Sequence, residues 1–189
     1  GAATALSARY LARPASATAG ILACGVQGRT NLLALKALFP LRRVLAFDIV
    51  KAAQERFAAE MGAELGIEVL EAASPQAAVA ESELVVTSGP ILKHPHPTIA
   101  KDWLRPGAFA SAVDFDSYWT PAALAQFDRV TTDDHAQFQY YKQAGYFQHT
   151  PEPDADLGEI VAGQQPGRQH DRERTMAINL GLALDDMAV

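Results

Sequence analysis

Two glycines close the first apolar segment of the chain and stand just before a helix-forming stretch. Residues 23–28 are A-C-G-V-Q-G. A glycine-rich turn between a strand and a helix lets backbone N–H groups approach a pyrophosphate, as the G-x-G-x-x-G pattern does for dinucleotides. Gly25 and Gly28 occupy the second and third glycine positions, whereas Ala23 stands at the first. The predicted cofactor contacts are Gly25, Val26, Gln27 and Gly28.

An acidic residue, Asp48, ends the second apolar segment, about 20 residues after Gly28, where the dinucleotide pattern expects a carboxylate. Its oxygens can accept hydrogen bonds from both hydroxyls of an adenosine ribose, and its charge opposes a 2′-phosphate. We therefore predict NAD rather than NADP as the cofactor. The alternative is a strand-end aspartate that only caps the helix beginning at Lys51.

Polar side chains also end the fourth and fifth apolar segments, and ligands of doubly wound sheets bind at the carboxyl ends of strands. Thr87 and Ser88 fit contacts to the cofactor's ribose, or equally a plain turn. Asp116 could act as a general acid or base if burial raised its pKa. Asp114, two residues earlier, is expected to contribute less than Asp116. Spacing alone also fits a loop with an Asx-turn.

The remaining reactive residue types predict less. His94 and His96 flank a proline, and no third ligand stands at a recognisable spacing, so we expect a solvated loop and no metal site. Cys24 is expected to be a small packing residue. The chain contains neither G-x-S-x-G nor the phosphate loop G-x-x-x-x-G-K-[ST], so nothing indicates a hydrolase or nucleoside triphosphatase of those kinds.

Composition narrows the function classes further. The 189 residues carry a formal net charge of −6 and are 49% hydrophobic, which argues for a packed core and against nucleic-acid binding. One cysteine leaves no intramolecular disulfide, and no apolar run approaches the roughly 18 residues that span a bilayer. We expect a cytoplasmic protein with no membrane or nucleic-acid partner.

Strand-like and helix-like segments alternate along most of the chain. Predicted strands cover residues 19–24, 43–48, 67–71, 83–87, 108–113 and 128–132. Predicted helices cover residues 2–11, 29–39, 51–65, 75–80 and 121–126, with weaker signals at 135–144, 157–162 and 183–188. Residues 173–184 show no clear period. Strands separated by helices indicate βαβ units, so the predicted fold is α/β with a doubly wound parallel sheet, a Rossmann-type dinucleotide-binding domain.

These segments, in this order, resemble the ornithine cyclodeaminase/mu-crystallin family over nearly the whole chain. Residues 25–28 are similar to its G-V-Q turn, and residues 104–108 to its L-x-P-G approach to the fifth strand. Residues 157–163, 166–168, Thr175 and 181–186 resemble its C-terminal signature. The resemblance implies one NAD(P)-binding domain over residues 1–189, with a leading helix in 1–15. It also implies a second lobe that this chain lacks, towards which residues 150–189 pack back.

The resemblance implies chemistry on an amino acid or imine by hydride transfer and deamination, in an oxidoreductase or an ammonia-eliminating cyclodeaminase. The family's acid/base aspartate falls on Asp116, and a homodimer would form through the missing lobe. Phe115, Tyr118 and Trp119 stand where the family has smaller residues, which argues against ornithine as the substrate. The alternatives are a mu-crystallin-like binding protein for a nucleotide and a small ligand, an accessory subunit, or a nucleotide sensor.

Overall fold

The structure, a computed structural model, describes residues 1–181. The predicted helix over residues 183–188 lies outside the described residues. The helices are α1 (Ala2–Leu11), α2 (Val26–Leu38), α3 (Lys51–Leu65), α4 (Pro75–Ala80), α5 (Pro121–Leu124), α6 (His135–Gln143) and α7 (Leu157–Val161). The strands are β1 (Thr18–Leu22), β2 (Arg43–Phe47), β3 (Glu68–Glu71), β4 (Leu84–Thr87), β5 (Phe109–Ala112), β6 (Arg129–Thr132), β7 (Ala155–Asp156) and β8 (Thr175–Ile178).

All eight strands join one parallel sheet in the order β3-β2-β1-β4-β5-β8-β6-β7. The order runs outwards from β1 through β2 to β3 in one direction, and from β1 through β4 to β5 in the other. The helices that connect the strands therefore lie on opposite faces of the sheet on the two sides of the β1–β4 pair. A crevice opens between these two strands at their carboxyl ends. The doubly wound α/β fold predicted from the sequence is confirmed.

Residues on successive strand positions enter two different cores, because neighbouring side chains of a strand point to opposite faces. In β2, Val44 and Ala46 belong to the core beneath α1, α2, α3 and α7, whereas Leu45 belongs to the core beneath α4, α5 and α6. In β1, Ile21 and Leu22 divide in the same way. Both faces of the sheet are covered, which explains the apolar strands of the sequence.

The strand β8 was missed by sequence analysis, and it lies between β5 and β6 in the sheet. Its four residues are all buried, so they carry no alternation of polar and apolar side chains. Arg168 supports the approach to β8: its guanidinium donates to the carbonyl oxygens of Leu11 and Glu173, both at 2.7 Å. The segment after residue 150 thus completes this sheet; its predicted packing towards a further lobe stays a prediction.

Caps place the helix ends close to where the sequence predicts them. Ser74 caps α4 by accepting from the backbone N–H of Ala77 at 3.1 Å. Asp156 and Glu159 form a reciprocal capping box at the start of α7. Among the described helices, none combines the length and the apolar character needed to cross a lipid bilayer.

Candidate functional site

The glycine turn lies at the carboxyl end of β1, where α2 begins. Gly25 is the N-cap residue and α2 starts at Val26, three residues earlier than the predicted start at Arg29. A Cβ at Gly25 would have no atom within 4 Å, so open space lies above the first turn of the helix. The N–H groups of this turn have no intrahelical partner. The turn therefore presents N–H donors towards open space, which fits a pyrophosphate.

Gly28 lies on the packed side of the same turn. A Cβ there would approach the carbonyl oxygen of Ala23 to less than 3.0 Å and Cγ2 of Ile21 to 3.1 Å. The missing side chain allows α2 to pack closely against the end of β1. The two glycines thus serve different needs: Gly25 leaves room for a ligand, and Gly28 leaves room for the protein itself.

Ala23 occupies the first glycine position of the pattern with a left-handed backbone. Its φ is +76°, a conformation that costs an L-residue free energy and that glycine adopts readily. Two contacts hold it there: its N–H donates to the carbonyl of Phe47 at 2.9 Å, and the hydroxyl of Ser88 donates to its carbonyl at 3.1 Å. These contacts hold the turn in this conformation despite the methyl group of Ala23.

Asp48 follows β2 and lies beside the turn. One carboxylate oxygen accepts from the N–H of Cys24 at 2.7 Å, and the other accepts from the N–H of Val50 at 2.8 Å. Val50 is the N-cap of α3, and no side chain caps that helix, so Asp48 is not a simple helix cap. The carboxylate is anchored by these hydrogen bonds and is half-buried. A negative charge at this place disfavours a 2′-phosphate on the ribose of a bound dinucleotide.

Cys24 is buried between Asp48 and the turn. Burial, and secondarily the charge of Asp48, raises the pKa of the Cys24 thiol to about 12. The thiol stays protonated near neutral pH and is a packing group rather than a nucleophile, in agreement with the expectation from the sequence.

The hydroxyl residues after β4 turn inwards. Thr87 is fully buried, and its hydroxyl donates to Asp114 at 2.6 Å and accepts from Nε1 of Trp119 at 3.3 Å. Ser88 is half-buried and its hydroxyl donates to the end of β1. Both side chains therefore brace neighbouring elements of the site, and the hydroxyl of Thr87 has no open side for a ribose.

Asp114 follows β5 and is completely buried. Besides the Thr87 hydroxyl, its carboxyl group accepts from the N–H of Gly89 at 3.2 Å. Burial raises the pKa of Asp114 to about 7, although both hydrogen bonds oppose the rise. A carboxyl group that joins the ends of β4 and β5 in this way stabilises the fold, and the sequence indicated only that it would contribute less to the chemistry than Asp116.

Asp116 stands two residues later in a different environment. It lines a cavity of about 480 Å³ and accepts a hydrogen bond from the hydroxyl of Thr150 at 2.9 Å. Burial raises the pKa of Asp116, while Thr150 and the charge of His149 lower it. A half-buried carboxyl group with one face open to a cavity is suited to proton transfer.

The cavity is formed by two loops that the sequence did not connect with Asp116. One is the proline-rich loop after β4, and the other follows α6. The lining residues are Leu92, Lys93, His94, Pro95, Pro97, Asp116, Trp119, Pro121, Leu124, Gly145, Tyr146, Phe147, Gln148 and His149. Sequence analysis assigned no site role to residues 145–149 or to Thr150, because no spacing rule links a loop after α6 to a strand end thirty or so residues earlier.

One further cluster of ligand-type side chains lies away from this cavity, among the residues that the structure describes. His135, Asp156 and Glu159 bring ligand atoms within 4.8 Å of one another. The two carboxylates already form the capping box of α7, which accounts for their proximity. His94, at the cavity mouth, belongs to no such group within residues 1–181.

Known proteins resemble this chain in sequence and in structure. The family model of the ornithine cyclodeaminase/mu-crystallin family matches residues 1–189. Ornithine cyclodeaminase of Agrobacterium tumefaciens (strain Ach5) is 28% identical over 190 residues, 98% of this chain and 52% of that protein. The chain spans 59% of the length of several other curated relatives that it matches.

Two solved structures superpose closely on the chain. Thermococcus litoralis Delta(1)-pyrroline-2-carboxylate reductase, in complex with NADH and L-proline, has a TM-score of 0.82 and 27% identity, over 97% of this chain and 59% of that one. An archaeal alanine dehydrogenase dimer with bound NAD has a TM-score of 0.79 and 25% identity, over 98% and 59%. With the family model covering every residue, the chain belongs to the ornithine cyclodeaminase/mu-crystallin family.

Proposed function

We propose that this chain is the NAD-binding domain of an enzyme that acts on an amino acid or imine by hydride transfer and deamination. The observation that carries the proposal is the pairing of an open cradle at Gly25 with an anchored carboxylate at Asp48, on neighbouring strand ends. The named relatives include a reductase with NADH, a dehydrogenase with NAD and a cyclodeaminase, which supports this chemistry.

The turn would hold the pyrophosphate over Gly25, Val26, Gln27 and Gly28, and Asp48 would accept from the adenosine ribose. Bound there, the nicotinamide ring would supply a hydride acceptor or donor. The exposed N–H groups of α2 compensate phosphate charge, and the carboxylate of Asp48 favours NAD over NADP. Thr87, which is fully buried, would fix the end of β4 from behind the site, whereas the half-buried Ser88 stays a predicted contact to the ribose.

Asp116 would transfer a proton to and from the substrate. Its carboxyl group faces the cavity and is oriented by Thr150. Burial raises its pKa above that of a free aspartate, which favours a group that would give a proton to an amine or imine nitrogen and take one back. The apolar walls of the cavity limit competing water.

The proposed partners are a small amino acid or imine as the substrate and a second copy of the protein. The archaeal alanine dehydrogenase is a dimer, which supports a homodimer here. A cytoplasmic location fits a substrate from amino-acid metabolism.

The test is Asp116→Asn in the full-length protein. The change keeps the size of the side chain and removes proton transfer, so turnover should fall about 10²–10⁴-fold. NADH affinity, measured by fluorescence titration, should stay within about twofold, because Asp116 lies outside the phosphate turn. Thr150→Val, which removes only the orienting hydroxyl, should lower turnover less. Normal turnover by Asp116→Asn would refute the acid/base role.

A second candidate is a nucleotide-dependent binding protein without turnover. The observation in its favour is the aromatic cluster beside the cavity, in which the Phe115 ring lies 4.9 Å from Tyr141 and 4.8 Å from Phe147. Tyr146 and Phe147 of this cluster line the cavity and suit a bound apolar ligand. A wild-type protein that binds NADH and an apolar ligand but converts no amino acid would favour this candidate.

A further inference from the structure

We propose that the cavity at Asp116 binds an acidic side chain, so that the substrates are amino or imino acids with a second carboxylate. This inference rests on the proposed function, because it assigns the substrate class of the same site. The supporting observations are the cavity itself, the charged side chains that line it and the position of Lys93.

The cavity has the size and walls of a specificity pocket. Its volume of about 480 Å³ lies in the range typical of small-molecule sites. The walls are mostly apolar: Trp119 and Phe147 are buried, and Leu124 is 1% exposed. These walls would contact the methylene groups of a side chain, while a charged end would have to find its partner at the mouth.

Lys93 is the one lysine or arginine among the residues that line the cavity. Lys93, His94 and His149 line the cavity, and Asp116 is the one acidic residue among the lining residues. Within residues 1–181, neither Lys93 nor His94 forms a salt bridge. An unpaired ammonium group beside an apolar cavity attracts a carboxylate and repels a second amine. Side chains that end in an amine, as in ornithine, are therefore disfavoured.

Lys93 is positioned by the two loops that form the cavity. Gly145 has φ of +99°, and a Cβ there would lie 2.9 Å from Cε of Lys93 and 3.5 Å from its Nζ. The lysine stem therefore lies directly over the glycine backbone. The neighbouring N–H of Leu92 donates to the hydroxyl of Ser117 at 3.1 Å, which ties this loop to the segment that carries Asp116. The loop that carries the ammonium group of Lys93 is thus hydrogen-bonded to the segment that carries the carboxyl group of Asp116.

This arrangement gives Asp116 and Lys93 separate roles in substrate binding. Asp116 would serve the nitrogen at the reacting carbon, and Lys93, assisted by the two histidines, would bind the distal carboxylate. A substrate without the second carboxylate would leave Lys93 without a partner and would gain only contacts with the apolar walls. Selectivity would therefore come from one charge-assisted hydrogen bond, which is stronger than a neutral one.

The experiment uses the full-length protein with NAD and four probes: L-aspartate, L-glutamate, L-alanine and L-ornithine. NADH formation gives kcat/KM for each. We expect aspartate or glutamate to exceed alanine and ornithine. Lys93→Met should reduce the acidic-to-alanine ratio about tenfold, the factor that corresponds to 1.4 kcal/mol. Lys93→Arg should retain most of the ratio. Lys101→Met, an exposed lysine outside the cavity, is the matched control and should not change it.

The outcomes separate the two proposals. A wild-type preference for alanine or ornithine, or an unchanged ratio in Lys93→Met, would overturn the acidic-substrate assignment. If no probe is turned over, calorimetric titration of the NADH complex with L-aspartate decides: binding that weakens in Lys93→Met supports the assignment, and no binding overturns it. Failure of the wild type to bind NADH at all would instead refute the proposed function.

Discussion

The two glycines of the phosphate turn should respond in opposite ways to the same added methyl group. In Gly25→Ala the new Cβ meets no atom within 4 Å, and the backbone (φ −79°, ψ −164°) is extended, which alanine tolerates. In Gly28→Ala the Cβ lies closer than 3.0 Å to the carbonyl oxygen of Ala23, a backbone atom that cannot rotate away. The first change should therefore affect ligand binding, and the second the fold.

The magnitudes follow from these environments. At Gly25, alanine is a poorer N-cap than glycine, but it also lowers the entropy of the unfolded chain, so the free energy of unfolding should change by less than about 0.5 kcal/mol. At Gly28, overpacking against backbone costs about 1–3 kcal/mol. For a chain of this size that cost lowers Tm by about 2–12 °C, at roughly 2–4 °C per kcal/mol.

The assay measures thermal unfolding and NADH titration on both variants of the full-length protein. Gly25→Ala should keep the wild-type Tm and lose at least about tenfold in NADH affinity, because its methyl group fills the cradle and blocks the approach to the N–H donors of α2. Gly28→Ala should lower Tm. Wild-type NADH affinity in Gly25→Ala would refute the placement of the pyrophosphate, and an unchanged Tm in Gly28→Ala would refute the packing argument.

Three further predictions address the rest of the site. Asp48→Ser removes the charge that opposes a 2′-phosphate, so the preference for NADH over NADPH should narrow in fluorescence titrations; an unchanged ratio would contradict the role of Asp48. Ala23→Gly relieves a φ of +76° and should raise the free energy of unfolding by up to about 1 kcal/mol in urea denaturation, since the relief of about 1–2 kcal/mol is partly offset by the entropy of glycine. Asp114 has a folded pKa of about 7 against an ordinary 3.8, so between these pH values the folded state keeps a proton that the unfolded chain has lost. Its stabilising contribution should be complete below about pH 4 and decline as the pH rises towards 7, whereas Asp114→Asn should lack this dependence; parallel stability curves for both proteins would exclude it.

Much of this molecule follows from local sequence. The turn at residues 23–28 and the carboxylate at Asp48 have spacings that a βαβ unit requires, and alternation of strands and helices predicts the doubly wound sheet. These features depend on neighbours in the chain or on one repeating unit. The short strand β8 was not predicted because residues that are buried on both faces show no alternation of polar and apolar side chains. Its place between β5 and β6 depends on partners that are far away in sequence.

The tertiary structure alone decided which polar side chains are sealed in the core and which line a cavity. Asp114 and Asp116 are the same residue type two positions apart, yet one is sealed against Thr87 and the other opens into a cavity. Thr87, predicted as a contact, turns inwards, and Lys93 meets Gly145 from a loop more than fifty residues away. Local sequence determines the backbone path to the edge of the sheet. Burial, hydrogen-bond partners and pKa depend on what other segments bring to that edge, and this is why the residues that line the cavity could not be predicted from spacing alone.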